Sequence, residues 1–374
     1  MKKMKKACFL CSTPYHVIVA SAITISENLK SDVYIIDPPI GGNVYERLND
    51  CNVFNKVVRV KNYIKSPNNS VFNSLSMYIE VLDKYLKVER IMGDLFSDSQ
   101  YDALYVYHRE QNIVRMICMY LVKHNSNIDL YYYEDGIGSY YNSVIFRDYT
   151  LTQLFEYIYC GKKISLKDFS IKLFYPELYT LGFKNDKPIQ NSESIKQINK
   201  IDGFDTVLSG LFSKKDNNKI LEKIIFLDTV REEEFDNKGM EVFGEISELL
   251  VKKYHNDMII KYHPRDIRCN LKEKNFSNDG IPFEYYCNYN DLNSKLIISS
   301  FSTAAFTPKI LYGQEPYVVF LFNILGKGMI DGADREVLYN YLKNIYSNKE
   351  KVRAPETIDD LMDIINSFME NYVK

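Results

Sequence analysis

Short polar groups of residues directly follow several apolar, β-rich stretches of this sequence, and one group contains a histidine suited to a phosphate. His263 comes after the stretch from Met258 to Tyr262 and precedes Pro264 and Arg265. A residue before proline is restricted to extended conformations, so His263 is held at the end of a strand. An imidazole beside a guanidinium can donate a hydrogen bond to a phosphate or protonate it. The alternative is an ordinary surface histidine, although we expect none of the other four histidines to have this placement.

A second group is rich in hydroxyls. Ser300, Ser302 and Thr303 follow the apolar run at 296–298 and come before an apparent helix that opens at Ala304. Hydroxyl groups and free amides at a helix N-terminus can bind a phosphate. Serine and threonine also cap helices routinely, and that is the competing interpretation.

Carboxylates end two further stretches. Glu134 and Asp135 come before Gly136 in the first half of the chain, and Asp228 ends an apolar run in the second half. Adjacent carboxylates in a cleft raise each other's pKa, and one of them can then act as a general base. Asp-Gly is also a common turn, and Asp228 could equally cap a helix.

A third polar group follows the first apolar stretch, residues 7–11. It consists of Thr13, Pro14, Tyr15 and His16. Pro14 suits the first position of a helix, because its missing N–H would be unpaired there in any case. His16 is a candidate for contact with a sugar, and the alternative is a histidine in the region of a helix cap.

The elements that position these groups alternate between short β-rich runs and helical patterns, which predicts parallel sheets of the doubly wound α/β type. The alternation starts twice. We predict a Rossmann-like domain over 1–190, a polar connecting region over 191–222, a second Rossmann-like domain over 223–355 and a final helix over 356–374. Ligands bind outside the carboxyl ends of such strands, so two such sheets predict a deep cleft between the domains.

The composition is that of a globular protein. The 374 residues have a net charge of −2, with 46% hydrophobic and 26% charged residues. These values exclude a disordered chain and a nucleic-acid binder held by bulk positive charge. The seven cysteines are scattered and odd in number, which favours reduced thiols. No stretch is apolar enough to span a membrane, so we expect a cytoplasmic protein whose basic N-terminus touches the inner membrane surface.

Several nucleotide- and metal-binding patterns are missing from the sequence. There is no GxxxxGK[ST] loop of the kind found in P-loop kinases, and no GxGxxG follows the first strand. No DxD-type acidic pair with a clear role in binding Mg²⁺ stands out, and no histidine cluster suggests Zn²⁺. The groups that could bind a phosphate are cationic and hydroxylic, so the sequence predicts a site that needs no metal ion or other cofactor.

Taken in order along the chain, the motifs resemble those of bacterial sialyltransferases, and most closely glycosyltransferase family 52, which sialylates lipooligosaccharide and capsule. They include Ser-Thr-Pro-Tyr-His at 12–16, Tyr-His-Pro-Arg-Asp at 262–266 and Ser-Phe-Ser-Thr-Ala-Ala at 300–305. The resemblance implies a GT-B type of fold, in which two Rossmann-like domains carry the nucleotide on the C-terminal one. It also implies CMP-sialic acid as the donor, no metal ion and inversion at the anomeric carbon.

The resemblance further implies roles on the donor side. His263 is similar to the histidine that contacts the CMP phosphate and assists its departure. Glu284 falls where related sialyltransferases place a carboxylate on the ribose hydroxyls, and two hydroxyl donors suit a carboxylate. The remaining residues implied for donor binding are Pro264, Arg265, Ser300, Ser302 and Thr303.

Two positions are candidates for the general base. Related sialyltransferases place it on an acidic-acidic-Gly motif, here Glu134-Asp135-Gly136. Family 52 itself places it just after the first strand of the C-terminal domain, here at Asp228, although the residues that follow match loosely. The residues expected on the sugar side of the site are Thr13, Pro14, Tyr15, His16 and Gly136.

We therefore expect an inverting, metal-independent transferase that moves N-acetylneuraminic acid from CMP-sialic acid to a terminal galactose hydroxyl of a surface glycan. The expected linkage is α-2,3, and a homodimer is one candidate for the oligomeric state. One alternative is a family 52 enzyme that uses another nucleotide sugar, such as a glucose donor. A second alternative is a non-catalytic capsule-assembly protein, and a third is a polysialic-acid polymerase that extends sialic acid primers.

Overall fold

A computed structural model of the chain describes residues 4–36, 44–61, 83–96, 100–108, 111–140, 150–179, 191–212, 219–228, 236–262, 281–300, 302–326 and 332–373. The chain divides into two compact units. The first comprises Met1–Lys196 and Lys200–Leu211, and the second comprises Gln197–Asn199 and Phe212–Lys374. Each unit is built around its own parallel sheet.

The sheet of the first unit contains the strands β1 Lys6–Cys11, β2 Lys30–Ile36, β3 Lys56–Val60, β4 Ala103–Val106, β5 Asp129–Tyr133, β6 Phe169–Leu173 and β7 Ser192–Ser194. Their order is β3-β2-β1-β4-β5-β6-β7, and neighbouring strands run parallel. The first six positions follow the strand order of the Rossmann fold. The helices described along this part of the chain are Pro14–Ser26, Val44–Asp50, Val88–Phe96, Asn112–His124, Thr150–Cys160, Pro176–Tyr179 and Phe204–Phe212.

The junction of the first strand and helix follows from the local sequence. The apolar run Ala7–Cys11 is buried, as expected for a central strand covered on both faces. The Thr13 hydroxyl accepts a hydrogen bond from the His16 amide at 3.2 Å, which caps the helix. Pro14 is the first helical residue, so the prediction of a helix that begins there is confirmed.

The sheet of the second unit contains the strands β8 Ile224–Asp228, β9 Met258–Tyr262, β10 Leu296–Ser299, β11 Tyr317–Phe320 and β12 Val352–Arg353. Their order is β12-β11-β10-β8-β9, again with parallel neighbours. The two doubly wound parallel sheets confirm the predicted fold class, the two-domain, Rossmann-like architecture of the GT-B type. The helices described in this unit are Asn237–Tyr254, Phe283–Tyr289, Thr307–Tyr312, Phe322–Leu325, Gly332–Ile345 and Ile358–Val373.

The final helix of the chain packs into the core of the second unit. Leu361, Ile365 and Phe368 are buried against the apolar side chains of the sheet, in one cluster with Ile298 and Val319. Burying three large apolar side chains stabilises the fold by several kcal/mol, at about 1.5–3 kcal/mol for each. The helix Ile358–Val373 is therefore an integral part of this unit.

Two strands of the first sheet were not predicted, and their side chains explain why. Strand β6 contains Lys172, a buried lysine whose ammonium group bonds to Glu27 at 2.6 Å and also to Glu193. A charged residue in a short strand hides the apolar pattern until its distant partners are known. Strand β7 lies in the connecting region 191–222 and is exposed throughout. That region also contains the helix Phe204–Phe212.

Candidate active site

The polar groups of the first unit meet where β1, β4 and β5 end. These strands are neighbours in the sheet and run in the same direction, with Phe9 opposite Tyr105 and Tyr105 opposite Tyr131. Their carboxyl ends therefore lie at one edge, which is where doubly wound sheets bind ligands. The residues that follow them are Ser12 to His16, Tyr107 and His108, and Glu134 and Asp135.

His16 connects two of these strand ends. Its ring is 1% exposed, and its Nε2 is hydrogen-bonded to the carboxylate of Asp135. On the other side, the main-chain N–H of Ser12 points at Nδ1, with 3.1 Å between the two nitrogens. The ring stacks on Tyr107 with 4.2 Å between centroids and meets Tyr133 edge-on at 5.9 Å. These contacts leave the imidazole a single orientation.

Glu134 is fully buried and accepts three hydrogen bonds. The Tyr15 hydroxyl donates to Oε1 at 2.9 Å, while the Tyr140 hydroxyl and the Phe174 amide donate to Oε2 at 2.5 and 2.9 Å. Burial raises the pKa of Glu134 to about 7, because desolvation outweighs the three donors and the nearby charge of Asp135 adds to it. At neutral pH this carboxyl group is therefore close to half protonated.

Asp135 differs from its neighbour because its side chain is 35% exposed. Its amide donates a hydrogen bond to the Ser139 hydroxyl at 2.6 Å, which closes a tight turn after the strand. Gly136 has a φ of +89°, a conformation that glycine adopts without strain. The Asp-Gly turn and the carboxylate site are therefore both present, and the turn presents the Asp135 carboxylate at the sheet edge.

His108 also belongs to this edge, although the sequence patterns did not single it out. It comes directly after Tyr107 beyond β4, and the two rings meet edge-on at 4.5 Å. Burial lowers the pKa of His108 to about 4; the nearby His16 adds to this, while Asp135 opposes it. The ring is therefore neutral at pH 7. The signal in the sequence was the placement of His108 at the end of an apolar run, Ala103 to Val106.

The second unit presents a different set of groups at its own carboxyl edge. Asp228, at the end of β8, lies opposite Tyr262, the last residue of β9. Its side chain is buried, with 6% exposed. The neighbouring strand β10 ends at Ser299, opposite Leu227. The three residues after Tyr262, His263 to Arg265, lie outside the described residues. Their roles therefore remain predictions.

The hydroxyl-rich turn after β10 is held by its own side chains. The Ser302 amide donates to the Ser299 hydroxyl at 2.9 Å, and the Ala304 amide donates to the Ser302 hydroxyl at 3.3 Å. These two amides are therefore engaged, and Ser302 acts as a cap for the short 3₁₀ turn Thr303–Ala305. Ser300 is buried, with 2% exposed. Only the backbone of Thr303 is described.

Glu284 lies in the first turn of the helix Phe283–Tyr289 and is partly exposed. Burial raises its pKa, and the charge of Lys261 on β9 acts in the opposite direction. Glu284 is thus electrostatically coupled to the strand that precedes His263. The Tyr312 hydroxyl donates to the Glu284 carbonyl at 2.7 Å, which ties this helix to the helix Thr307–Tyr312.

The chain has the two-domain GT-B type of fold, with a carboxylate–imidazole pair at the edge of its first sheet. A family model described as alpha-2,8-polysialyltransferase matches residues 8–237, more than half of the chain. The chain belongs to this family. The match includes His16, Asp135 and Asp228, and it supports the sialyltransferase part of the resemblance in the sequence. It does not support the specific assignment to a lipooligosaccharide or capsule enzyme.

Solved structures with a similar arrangement share little sequence with this chain. A UDP-N-acetylglucosamine 2-epimerase from Neisseria meningitidis is 13% identical, with a TM-score of 0.46 and coverage of 98% of this chain and 100% of that one. A putative UDP-N-acetylglucosamine 2-epimerase from Listeria monocytogenes is 12% identical, with a TM-score of 0.48 and coverage of 93% and 89%. The calicheamicin glycosyltransferase CalG4 is 7% identical, with a TM-score of 0.46 and coverage of 99% of both chains. No curated protein sequence matches the chain.

In the described part of the chain, no helix is both long enough and apolar enough to cross a bilayer.

Proposed function

We propose that the chain is an inverting, metal-independent sialyltransferase that moves sialic acid from CMP-sialic acid to a sialic acid at the end of a surface glycan. The observation that carries this proposal is the Asp135–His16 pair, which lies at a sheet edge inside the region that the family model matches. The family's name, alpha-2,8-polysialyltransferase, favours an α-2,8 linkage and a sialic acid acceptor.

A terminal galactose is the second candidate for the acceptor. The motif from Ser12 to His16, which resembles the galactose-directed enzymes of family 52, favours it and an α-2,3 linkage. The same base would serve both acceptors, because each presents a hydroxyl group to the anomeric carbon of the donor. The choice between them therefore depends on how the rest of the acceptor is bound.

Asp135 is the proposed general base, because its carboxylate is both oriented and partly exposed. His16 bonds to Oδ1, and the side chain remains 35% exposed. Glu134 is fully enclosed, and both of its oxygens already accept hydrogen bonds from protein groups. We assign Glu134 to holding the turn that carries Asp135. Asp228 is the second candidate for the base, and its burial leaves little surface for an acceptor hydroxyl.

The proposed reaction is a direct displacement. Asp135 takes the proton of the acceptor hydroxyl while the hydroxyl oxygen forms a bond to the anomeric carbon of the donor. The bond from that carbon to the CMP phosphate oxygen breaks, and CMP leaves with the electron pair. General base catalysis of this kind contributes about 10²–10⁴-fold to a rate.

The donor side of the proposal rests on the second unit. We assign the departing phosphate to the imidazole of His263, the guanidinium of Arg265 and the hydroxyl of Ser302, which would neutralise the growing negative charge. Glu284 would accept hydrogen bonds from the ribose hydroxyls, and its position near Lys261 on β9 supports this assignment. The other residues assigned to donor binding are Pro264, Ser300 and Thr303.

Two further proposals concern the setting of the enzyme. The basic N-terminal sequence Lys-Lys-Met-Lys-Lys favours a cytoplasmic enzyme that touches anionic lipid. Sedimentation with anionic and with neutral vesicles tests this proposal, and equal binding to both would contradict it. A homodimer is proposed for the oligomeric state, and a monomer in sedimentation equilibrium would exclude it.

The function is tested with the purified full-length chain in the presence of EDTA. CMP-sialic acid is offered with lactose in one reaction and with an α-2,8-linked sialic acid trimer in another, and products are analysed by mass spectrometry. We expect the trimer to grow by one or more sialic acid residues. Transfer of sialic acid to lactose but not to the trimer would support the galactose acceptor instead. Loss of activity with EDTA, or consumption of UDP-glucose but not CMP-sialic acid, would contradict the proposal.

A further inference from the structure

The main-chain N–H of Ser12 defines which nitrogen of His16 carries a proton. It lies 3.1 Å from Nδ1, and the Ser12 hydroxyl is 3.3 Å from the same atom. A main-chain N–H can only donate, so Nδ1 must be the ring nitrogen without a proton. The proton of the neutral ring is then on Nε2, where it is donated to Asp135. With a second proton on Nδ1, two hydrogen-bond donors, this N–H and that of Ser12, would face each other.

We propose that His16 is a positioning residue that holds Asp135 through a neutral hydrogen bond and leaves the negative charge of the carboxylate intact. An imidazolium in its place would form an ion pair and make Asp135 a weaker base. The neutral ring orients Oδ1 without that effect, and Oδ2 can receive the proton of the acceptor hydroxyl. This inference rests on the proposed function, in which Asp135 is the base.

A second imidazole, that of His108, lies near Asp135. Burial lowers the pKa of His108 to about 4, so this second imidazole is also uncharged at neutral pH. Titratable groups among the described residues that interact electrostatically with Asp135 include His16, Tyr107, His108, Tyr132, Tyr133 and Glu134. None of these is a lysine or an arginine.

The kinetic test compares two substitutions of His16. His16→Phe keeps a flat ring against Tyr107 but removes both hydrogen bonds, whereas His16→Gln keeps a side-chain N–H that can reach Asp135. For His16→Phe we expect kcat to fall by about 10- to 100-fold with KM for CMP-sialic acid unchanged, as for loss of an oriented base. The acidic limb of its pH–kcat profile should move to higher pH, because a carboxylate without its donor holds a proton more tightly.

The controls separate positioning from folding. His16→Gln should keep kcat within about fivefold and leave the acidic limb where it is, since one donor to the carboxylate is retained. His124→Phe changes an exposed histidine on the helix Asn112–His124 and should leave kcat unchanged. Equal losses in His16→Phe and His16→Gln, with an unmoved acidic limb, would reduce His16 to a packing residue and overturn the inference.

A spectroscopic test does not depend on activity. In protein labelled with ¹⁵N-histidine, the His16 ring should show a protonated Nε2 and an unprotonated Nδ1 from about pH 7 to pH 8, above the usual pKa of a histidine. An imidazolium signal, or a proton on Nδ1, over this range would overturn the inference. A wild-type chain that transfers no sialic acid would instead contradict the proposed function, whatever the tautomer.

Discussion

The carboxyl edges of the two sheets are equipped differently. In the first unit, His16 is hydrogen-bonded to Asp135, and the neighbouring Glu134 is fully buried, which raises its pKa to about 7. In the second unit, the groups around Ser299 and Ser302 are hydroxyls and amides that form a turn. Burial and specific partners that shift pKa values are typical of sites that move protons. Hydroxyl groups are instead suited to binding an anion, and this contrast fits the roles proposed for Asp135 and Ser302.

The strongest test of this comparison exchanges the carboxylate of each unit for an amide. Asp135→Asn should lower kcat by about 10²–10⁴-fold, because the amide cannot accept the hydroxyl proton. Asp228→Asn should lower kcat less than about tenfold, since the proposal gives it no proton to accept. Steady-state kinetics with CMP-sialic acid measure both.

A matched control for these variants is Asp129→Asn. Asp129 begins β5 and is exposed, whereas Asp135 follows the other end of the same strand. This variant should keep full activity. If Asp228→Asn lowers kcat far more than Asp135→Asn in folded protein, the base lies in the second unit. The contrast drawn between the two sheet edges would then be wrong.

Glu134 predicts a pH dependence of stability that is specific to the first unit. Burial raises its pKa from the usual 4.5 to about 7, so between these values the folded chain holds a proton that the unfolded chain has released. Its stabilising contribution is therefore complete below about pH 4.5 and is lost as the pH rises through about 7, with a total near 3 kcal/mol.

Thermal unfolding of Glu134→Gln between pH 5 and pH 8 measures this contribution. The glutamine stays neutral, and its oxygen can accept from the Phe174 amide while its nitrogen donates to the Tyr15 hydroxyl. The wild type should lose several degrees more than the variant over this range. Parallel curves for the two proteins would show that Glu134 does not gain a proton on folding.

On the second edge, Ser302→Ala should weaken donor binding and leave the acceptor side unaffected. A hydroxyl that donates to a charged phosphate contributes about 1.5–3 kcal/mol, so KM for CMP-sialic acid should rise by about tenfold or more. Ser294→Ala, an exposed serine before β10, is the control. An unchanged donor KM with a lower melting temperature would mean that Ser302 is only a cap.

The smallest effect is expected at the turn that carries Asp135. Gly136→Ala introduces a side chain at a φ of +89° and should cost about 1–2 kcal/mol. Gly138→Ala is the matched control, because a Cβ there meets no atom within 4 Å and its φ is not positive. Melting temperatures of the two variants should differ by a few degrees. Equal melting temperatures would indicate that the turn relaxes.

Local patterns predicted the central strands and the positions of the groups that follow them. The burial of Ala7–Cys11 and the start of the first helix at Pro14 needed only neighbouring residues. The pairing of His16 with Asp135 was not predictable in this way, because 119 residues separate them and the strand order brings them together. The same holds for β6, where Lys172 is stabilised by two glutamates distant in the chain.

The hydrogen bond from Ser12 to His16 comes from the main chain, and this makes the tautomer tolerant of mutation. Exchanging the Ser12 side chain for almost any other would leave that N–H in place. Proline alone among the encoded residues lacks it. The orientation of the imidazole is thus protected from most sequence changes at position 12.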